Sequence, residues 1–373
     1  MARGVGRLTL CGLLVAAAAA GSGCTQLRSI GSTSVLVGMA VDAGPGGEVT
    51  ATAEISHYPS PSGAGGSGGG KGGSTSPVQL VLQGSGPNLS AALASVQAQT
   101  DVFVDFWATS LLLVGQQLAQ RGVVPSLDAL LRSGQFALTS HVVVVEGSAG
   151  ALLGQGTIAG GPSLNIERRL VHGAQTDLTT IPTPFWQFIS RALTPYRAAW
   201  APAFATTAQG YRSAGTAVFR GGRLAALLDP QQTAALGWLL KPGGFPPLNF
   251  TEPDGAVGTL RVLHVQRRVA TQGPGAGLLT VKLDTTPQDA PGLQLLSPPA
   301  IRTNENGAQL AATADLRALL DRLQSSGSDV LGFGERLREA DPAAVGANWP
   351  TVFEAMRIGL DVSVAIKPSG RLL

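Results

Sequence analysis

Cysteine is nearly absent from this chain. Only Cys11 and Cys24 occur among 373 residues. Cys11 sits inside an apolar run, so a mature chain beginning at residue 24 carries one thiol and no internal disulfide. Histidine is also scarce. None of His57, His141, His172 and His264 stands at metal-ligand spacing from another His, Cys or Glu, and no metal site is expected. His141 and His264, in or beside strands, are read as partly buried structural residues. Charged residues make up 13% of the chain, about half the usual share. Ala, Gly and Leu take their place throughout, as a high-GC coding bias would produce. No basic stretch interleaved with aromatics exists, which argues against nucleic acid as a partner. Beyond the N-terminus there is no long apolar run. The best later candidate, residues 106–120, is too short and too polar to cross a bilayer.

Catalytic motifs are missing as well. No Gly-x-Ser-x-Gly elbow exists, and no cysteine remains for nucleophilic work. In the run GSGGGKGGST, Lys71 is followed by Gly72 where a phosphate loop needs Ser or Thr. Gly332-Phe333-Gly334 lacks the third glycine and the preceding strand of a dinucleotide fold. Glu335 and Glu339 lie four apart with Arg336 and Arg338 between them, the pattern of a solvated helix face more than of an acid pair. No enzyme activity and no cofactor are expected.

What is present begins at the N-terminus. Arg3 and Arg7 supply positive charge, residues 8–20 an apolar core, and Gly21-Ser22-Gly23 a small-residue run ending at Cys24. Residues 1–23 thus read as a lipoprotein signal peptide, with Cys24 cut free and acylated with diacylglycerol. An ordinary secretory signal beside an incidental cysteine is the competing reading, because Gly21 stands where lipoprotein signals usually carry an aliphatic residue. Loss of residues 1–23 leaves 24 basic against 23 acidic side chains, near neutrality. The two acyl chains of diacylglycerol give stable attachment where one chain, at about 0.8 kcal/mol per buried CH2, holds only marginally.

The rest of the chain alternates strands with helices, which predicts an α/β (α+β) class with mixed sheets flanked by helices. Residues 34–41 and 48–58 read as a hairpin. Residues 60–77 are a Gly/Ser insert with too few apolar residues to repay its ordering, read as a disordered loop. Strands are expected at 78–83, 110–114 and 141–146, with helices at 88–99, 116–121 and 126–132, the last capped by Ser126. Residues 152–180 read as loop and short helix, residues 184–193 as an amphipathic helix, and 194–211 as a linker. Then come a strand pair at 213–228, a helix at 230–240 capped by Asp229, strands at 258–271 and 277–286, helices at 308–324 and 329–338, a helical or looped stretch at 342–357, and a strand at 360–367. The domains expected are 24–205 (N-terminal α/β), 206–250 (small middle) and 251–373 (C-terminal α/β).

Two stretches carry more than composition. One is Gly215-Thr216-Ala217-Val218-Phe219 with Leu227 and the helix end Gly237-Trp238-Leu239. The other is Asp329-Val330-Leu331-Gly332-Phe333-Gly334-Glu335, followed by Trp349, Phe353 and the strand from Asp361 to Val364. With SLLLVGQQLAQRG, LDALLR and HVVVVEGSA in the N-terminal half and the Cys24 start, they resemble the Ger(x)C family, the lipoprotein C subunits of spore germinant receptors. The likeness runs over nearly the whole mature chain in order, and Asp-x-x-Gly-Phe-Gly is its most specific part. Ala108 and Ala137 stand where the family often has His and Arg. The resemblance implies a three-domain fold and a non-enzymatic, cofactor-free subunit working beside integral-membrane A-type and B-type subunits on the outer face of the cytoplasmic membrane. It singles out Cys24 for the anchor and Asp329, Gly332, Phe333, Gly334 and Trp349 for the motif, where a structural role is weighed above germinant contact. A solute-binding lipoprotein of a transporter is the alternative from another class; it requires two similar lobes, and no internal duplication is visible.

Overall fold

The computed structural model describes residues 33–57, 78–101, 103–155, 161–171, 180–252, 255–289, 298–346 and 348–367. The signal region, Cys24 and the Gly/Ser insert lie outside the described residues.

The N-terminal half is built on one mixed sheet. Its strands are β1 (Thr33–Ala43), β2 (Val49–His57), β3 (Val78–Gly86), β4 (Phe103–Asp105), β5 (Leu111–Gly115), β6 (His141–Glu146), β7 (Trp200–Thr207), β8 (Gly210–Arg220) and β9 (Arg223–Leu228). They run in the order β3-β2-β1-β5-β6-β7-β8-β9, with β4 beside the start of β1. The centre, β1-β5-β6-β7, is parallel, and antiparallel hairpins close both sides. The crossovers carry helices α1 (Leu89–Gln97), α2 (Gln116–Arg121), α3 (Val124–Ser133), α4 (Ala149–Leu153), α5 (Pro162–Val171) and α6 (Phe185–Ala192). Helices cover both faces, so β5 is buried at every position and reads as a continuous apolar run. For the same reason both faces of β2 are buried: Ala51, Ala53 and Ile55 on one, Thr52 and Glu54 on the other.

The C-terminal half has a smaller sheet, ordered β10 (Leu248–Thr251), β11 (Val257–Thr271), β12 (Ala276–Asp289) and β13 (Arg357–Ile366). Its first three strands are antiparallel neighbours and β13 lies parallel to β12. Helix α8 (Pro298–Ser325) packs on it through the stripe Ala308, Ala312, Leu316, Leu319, Leu320 and Leu323, all buried. Helix α7 (Pro230–Leu240) connects the sheets and carries a full capping box, Asp229 with Gln232, and Pro at its first turn. One core joins Trp200, Val218, Leu228 and Trp238 to Leu279, Leu316, Phe333 and Val362, so the two halves share packed side chains.

Several local expectations change. Residues 194–211 are not a linker, because β7 fills a central place in the sheet. A strand buried on both faces shows no alternation, and Pro202 hides it further. Pro202 is tolerated because β6 pairs only from Ala203 onward and a bulge follows at Ala203/Phe204. The 205/206 boundary falls inside β7, and β8 and β9 extend the first sheet. Helix α3 starts at Val124 with Pro125 in its first turn, so Ser126 is inside it and not its cap. Helix α8 begins ten residues earlier than its leucine stripe suggests. Residues 342–357 split into a short turn of 3-10 helix, helix α10 (Trp349–Ala355) and the start of β13. Residues 329–332 are not helical; helix α9 spans Phe333–Ala340. His264 is exposed on β11, not partly buried.

Candidate functional site

Helix α8 is stopped by the turn at Gly327, which has a positive φ of 62°. The chain then turns inward, and Ser328 and Asp329 are buried. The Asp329 carboxylate gathers the next turn around itself. Its Oδ1 accepts from the backbone N–H of Gly332 (2.8 Å) and Phe333 (3.0 Å), and its Oδ2 from that of Gly334 (2.7 Å). Trp349 on α10 donates its indole N–H to the same Oδ2 at 3.0 Å. Three of these donors are at the open N-terminal end of α9, where a negative charge is favoured. The carboxylate therefore supplies a cap from four residues before the first residue of the helix. Burial pushes its pKa above the usual range, and the four donors draw it back.

The two glycines serve different ends. Gly332 has φ +89°, a conformation side chains other than glycine rarely adopt. At Gly334 a Cβ would stand 2.6 Å from the Trp349 ring and 2.8 Å from the Tyr196 carbonyl, so only a bare backbone fits. Phe333 between them is wholly buried against Phe353, with ring centroids 6.0 Å apart, and it faces Gly277 of β12. The Asp329 carbonyl accepts from the Ala198 N–H at 3.0 Å, which fastens the junction to the segment before β7. The five motif residues Asp329, Gly332, Phe333, Gly334 and Trp349 thus form one packed unit. Cys24 lies outside the described residues.

Outside this unit stands a charged cluster whose Arg191 and Arg197 the sequence did not single out. Arg197 pairs with Glu335, and Arg338 bonds the Tyr196 hydroxyl with its guanidinium 4.7 Å from the ring centroid. Arg191 of α6 lies 4.5 Å over the Trp200 ring. Burial, and then Arg197, lower the Arg191 pKa, while Glu335 and Asp329 act the other way. Arg191 was hidden at the end of an amphipathic helix pattern, and Arg197 in a stretch read as linker. Glu339 pairs with Arg336, so both glutamates of the four-residue spacing are committed to ion pairs.

Two further carboxylates hold helix starts on the other face of the first sheet. Asp42 of β1 accepts from Ala149 N–H, Gly150 N–H and Ser148 Oγ. Glu54 of β2 accepts from the N–H and hydroxyl of Ser163, and burial raises its pKa. No group of His, Cys, Asp and Glu among the described residues could hold a metal ion. No helix among them is long and apolar enough to cross a membrane.

His141 has a measurable consequence. Burial lowers its pKa below the usual 6.5, against a smaller opposing effect of Glu167. As pH falls through 6.5 the unfolded chain takes up the proton first, so stability is lost progressively down to the folded-state value. Denaturant unfolding at pH 7.5 and 5 is expected to show this loss, and His141→Asn should flatten it. An unchanged slope in the variant would assign the acid sensitivity elsewhere.

Comparison with known proteins follows the same outline. Residues 28–206 match the family model described as spore germination protein N-terminal domain. Residues 214–370 match the one described as spore germination B3/GerAC like, C-terminal. Comparison with curated proteins gives no match. Among solved structures, the crystal structure of the GerBC protein superposes with a TM-score of 0.56 at 16% identity, covering 88% of this chain and 96% of that one. At that identity it speaks for the fold alone, and the fold agrees. With the two models laid end to end over almost the whole chain, in the order of the motifs above, the chain belongs to the Ger(x)C family, the C subunits of spore germinant receptors.

Proposed function

We propose that this chain is a non-enzymatic, lipid-anchored subunit of a spore germinant receptor, required for nutrient-triggered germination. It works beside integral-membrane A-type and B-type subunits, on the outer face of the cytoplasmic membrane that becomes the spore's inner membrane. The observation that carries this reading is the paired family match across residues 28–206 and 214–370. The anchor rests on the sequence of residues 1–24: a signal whose small-residue run ends at Cys24. A solute-binding lipoprotein fits less well. Such proteins need two like lobes around a cleft, whereas here a nine-stranded mixed sheet and a four-stranded sheet share a core.

The test is genetic and chemical. Spores lacking the gene should lose optical-density decline and dipicolinate release with at least one nutrient, and the wild-type gene should restore both. Spores that respond normally to every nutrient would sink the receptor role. Cys24→Ala should abolish incorporation of labelled fatty acid and move the protein out of the membrane fraction. Unchanged labelling would place the attachment elsewhere.

A further inference from the structure

We propose that the end of the first sheet at which β1 begins rests on the bilayer surface, with Trp107 and Trp186 seated among the lipid headgroups. This deepens the lipid-anchor reading and rests on it. Three loops meet at that end. Residues 106–110 lead into β5, residues 137–140 into β6, and Pro184 forms an isolated bridge with His141 at the start of α6. They are laced together: the Ser140 hydroxyl donates to the Thr109 carbonyl at 2.6 Å, and the Trp186 N–H to the Leu138 carbonyl at 3.0 Å. Their tips are apolar and open. Trp107 is 65% exposed, Trp186 54% and Leu138 46%. Phe103, at the start of β4, is 37% exposed, and with Phe106 and Phe136 it lines an apolar groove of about 300 Å3 between α1 and α3.

Large exposed tryptophans are expensive in water and favoured where hydrocarbon meets headgroups, since the ring is apolar and its N–H still finds a partner. The other three tryptophans, Trp200, Trp238 and Trp349, are at most 3% exposed, so exposure is not a habit of this residue here.

The position of the anchor selects the membrane as occupant. Nine chain steps separate Cys24 from Thr33, so the first residue of β1 stands within about 30 Å of the acylated cysteine even at full extension. Strand β1 has eleven residues and is itself about 33 Å long. With the opposite end of the sheet against the bilayer, Thr33 would lie beyond that reach. The end bearing Trp107 and Trp186 is the one the tether holds down.

The experiment uses the chain from Thr25 onward with hexahistidine in place of Cys24, bound to phosphatidylcholine vesicles containing nickel-chelating lipid, with and without dibrominated acyl chains. Bromine is expected to quench about two-fifths of the emission, the share of two tryptophans among five. Trp107→Ser with Trp186→Ser should remove that quenching while circular dichroism stays unchanged. Emission indifferent to bromine, from protein demonstrably on the vesicles, overturns the proposal. So does quenching that survives in the double variant. If the tryptophans become shielded only when the B-type subunit is reconstituted alongside, the face is a protein interface and the proposal is wrong. The anchor is judged separately, by mass spectrometry of the Cys24 peptide from native membranes. An unmodified cysteine there sinks the anchor, and the histidine-tethered measurement still decides the docking.

Discussion

Phe333→Ala is expected to destabilise the protein by about 3–5 kcal/mol, the usual cost of truncating a fully buried aromatic. The ring is wholly excluded from solvent and packs beside Phe353. It also lies over Gly277, where even a Cβ would come within 2.7 Å of the ring, so β12 offers no side chain that could move into the space. The neighbouring backbone is fixed by the Asp329 carboxylate, which further limits collapse of the cavity. Urea unfolding of purified protein gives the loss directly, and Phe333→Leu should recover part of it. In cells a loss of this size lowers the amount of folded subunit, and germination fails for want of receptor. A Phe333→Ala protein that is stable, abundant in the membrane and inactive would reverse this reading and make the junction a contact surface.

How far the sequence revealed this junction depends on which of its properties are local. The glycines and the aromatic stood out as a pattern, as did the strand and helix periods around them. Helix α7 with Asp229 before Pro230 was legible because its capping box is encoded within four residues. The leucine stripe of α8 gave its register but not its start, since its first turns carry few apolar residues. Three features are not carried by local periodicity. Strand β7 is defined by neighbours on both sides and carries no alternation of its own. The helix read from Asp329 starts only at Phe333, because the Asp329 side chain replaces the backbone pattern across that turn. The Arg197–Glu335 pair joins residues 138 apart, and nothing in either local stretch announces it. The same holds for the shared core: β8 and β9 complete the first sheet, while the shared core carries their Val218 and Leu228 to the C-terminal half.

Asp329→Asn should be the second costly change, about 3–6 kcal/mol, although it alters no atom positions. All four groups around the carboxylate are donors. An asparagine has one oxygen to offer. Whichever way its amide turns, the NH2 group confronts two N–H groups, either those of Gly332 and Phe333 or those of Gly334 and Trp349. Each buried donor left without an acceptor costs about 1–3 kcal/mol. The surviving bonds also weaken from charge-assisted to neutral. Trp349→Phe removes a single donor and keeps most of the ring, so it should cost less than Asp329→Asn. This ordering tests the charge state of the site. Burial favours a protonated carboxyl, yet its proton would have no acceptor among these four donors. If Asp329→Asn unfolds at the same urea concentration as the wild type, the carboxyl carries no charge in the folded protein and packing alone holds the junction. Because the Phe333 ring and the Asp329 carboxylate hold the same short turn in place, the double variant should lose less than the sum of the two single losses. Strict additivity would mean that the cap and the core plug act independently.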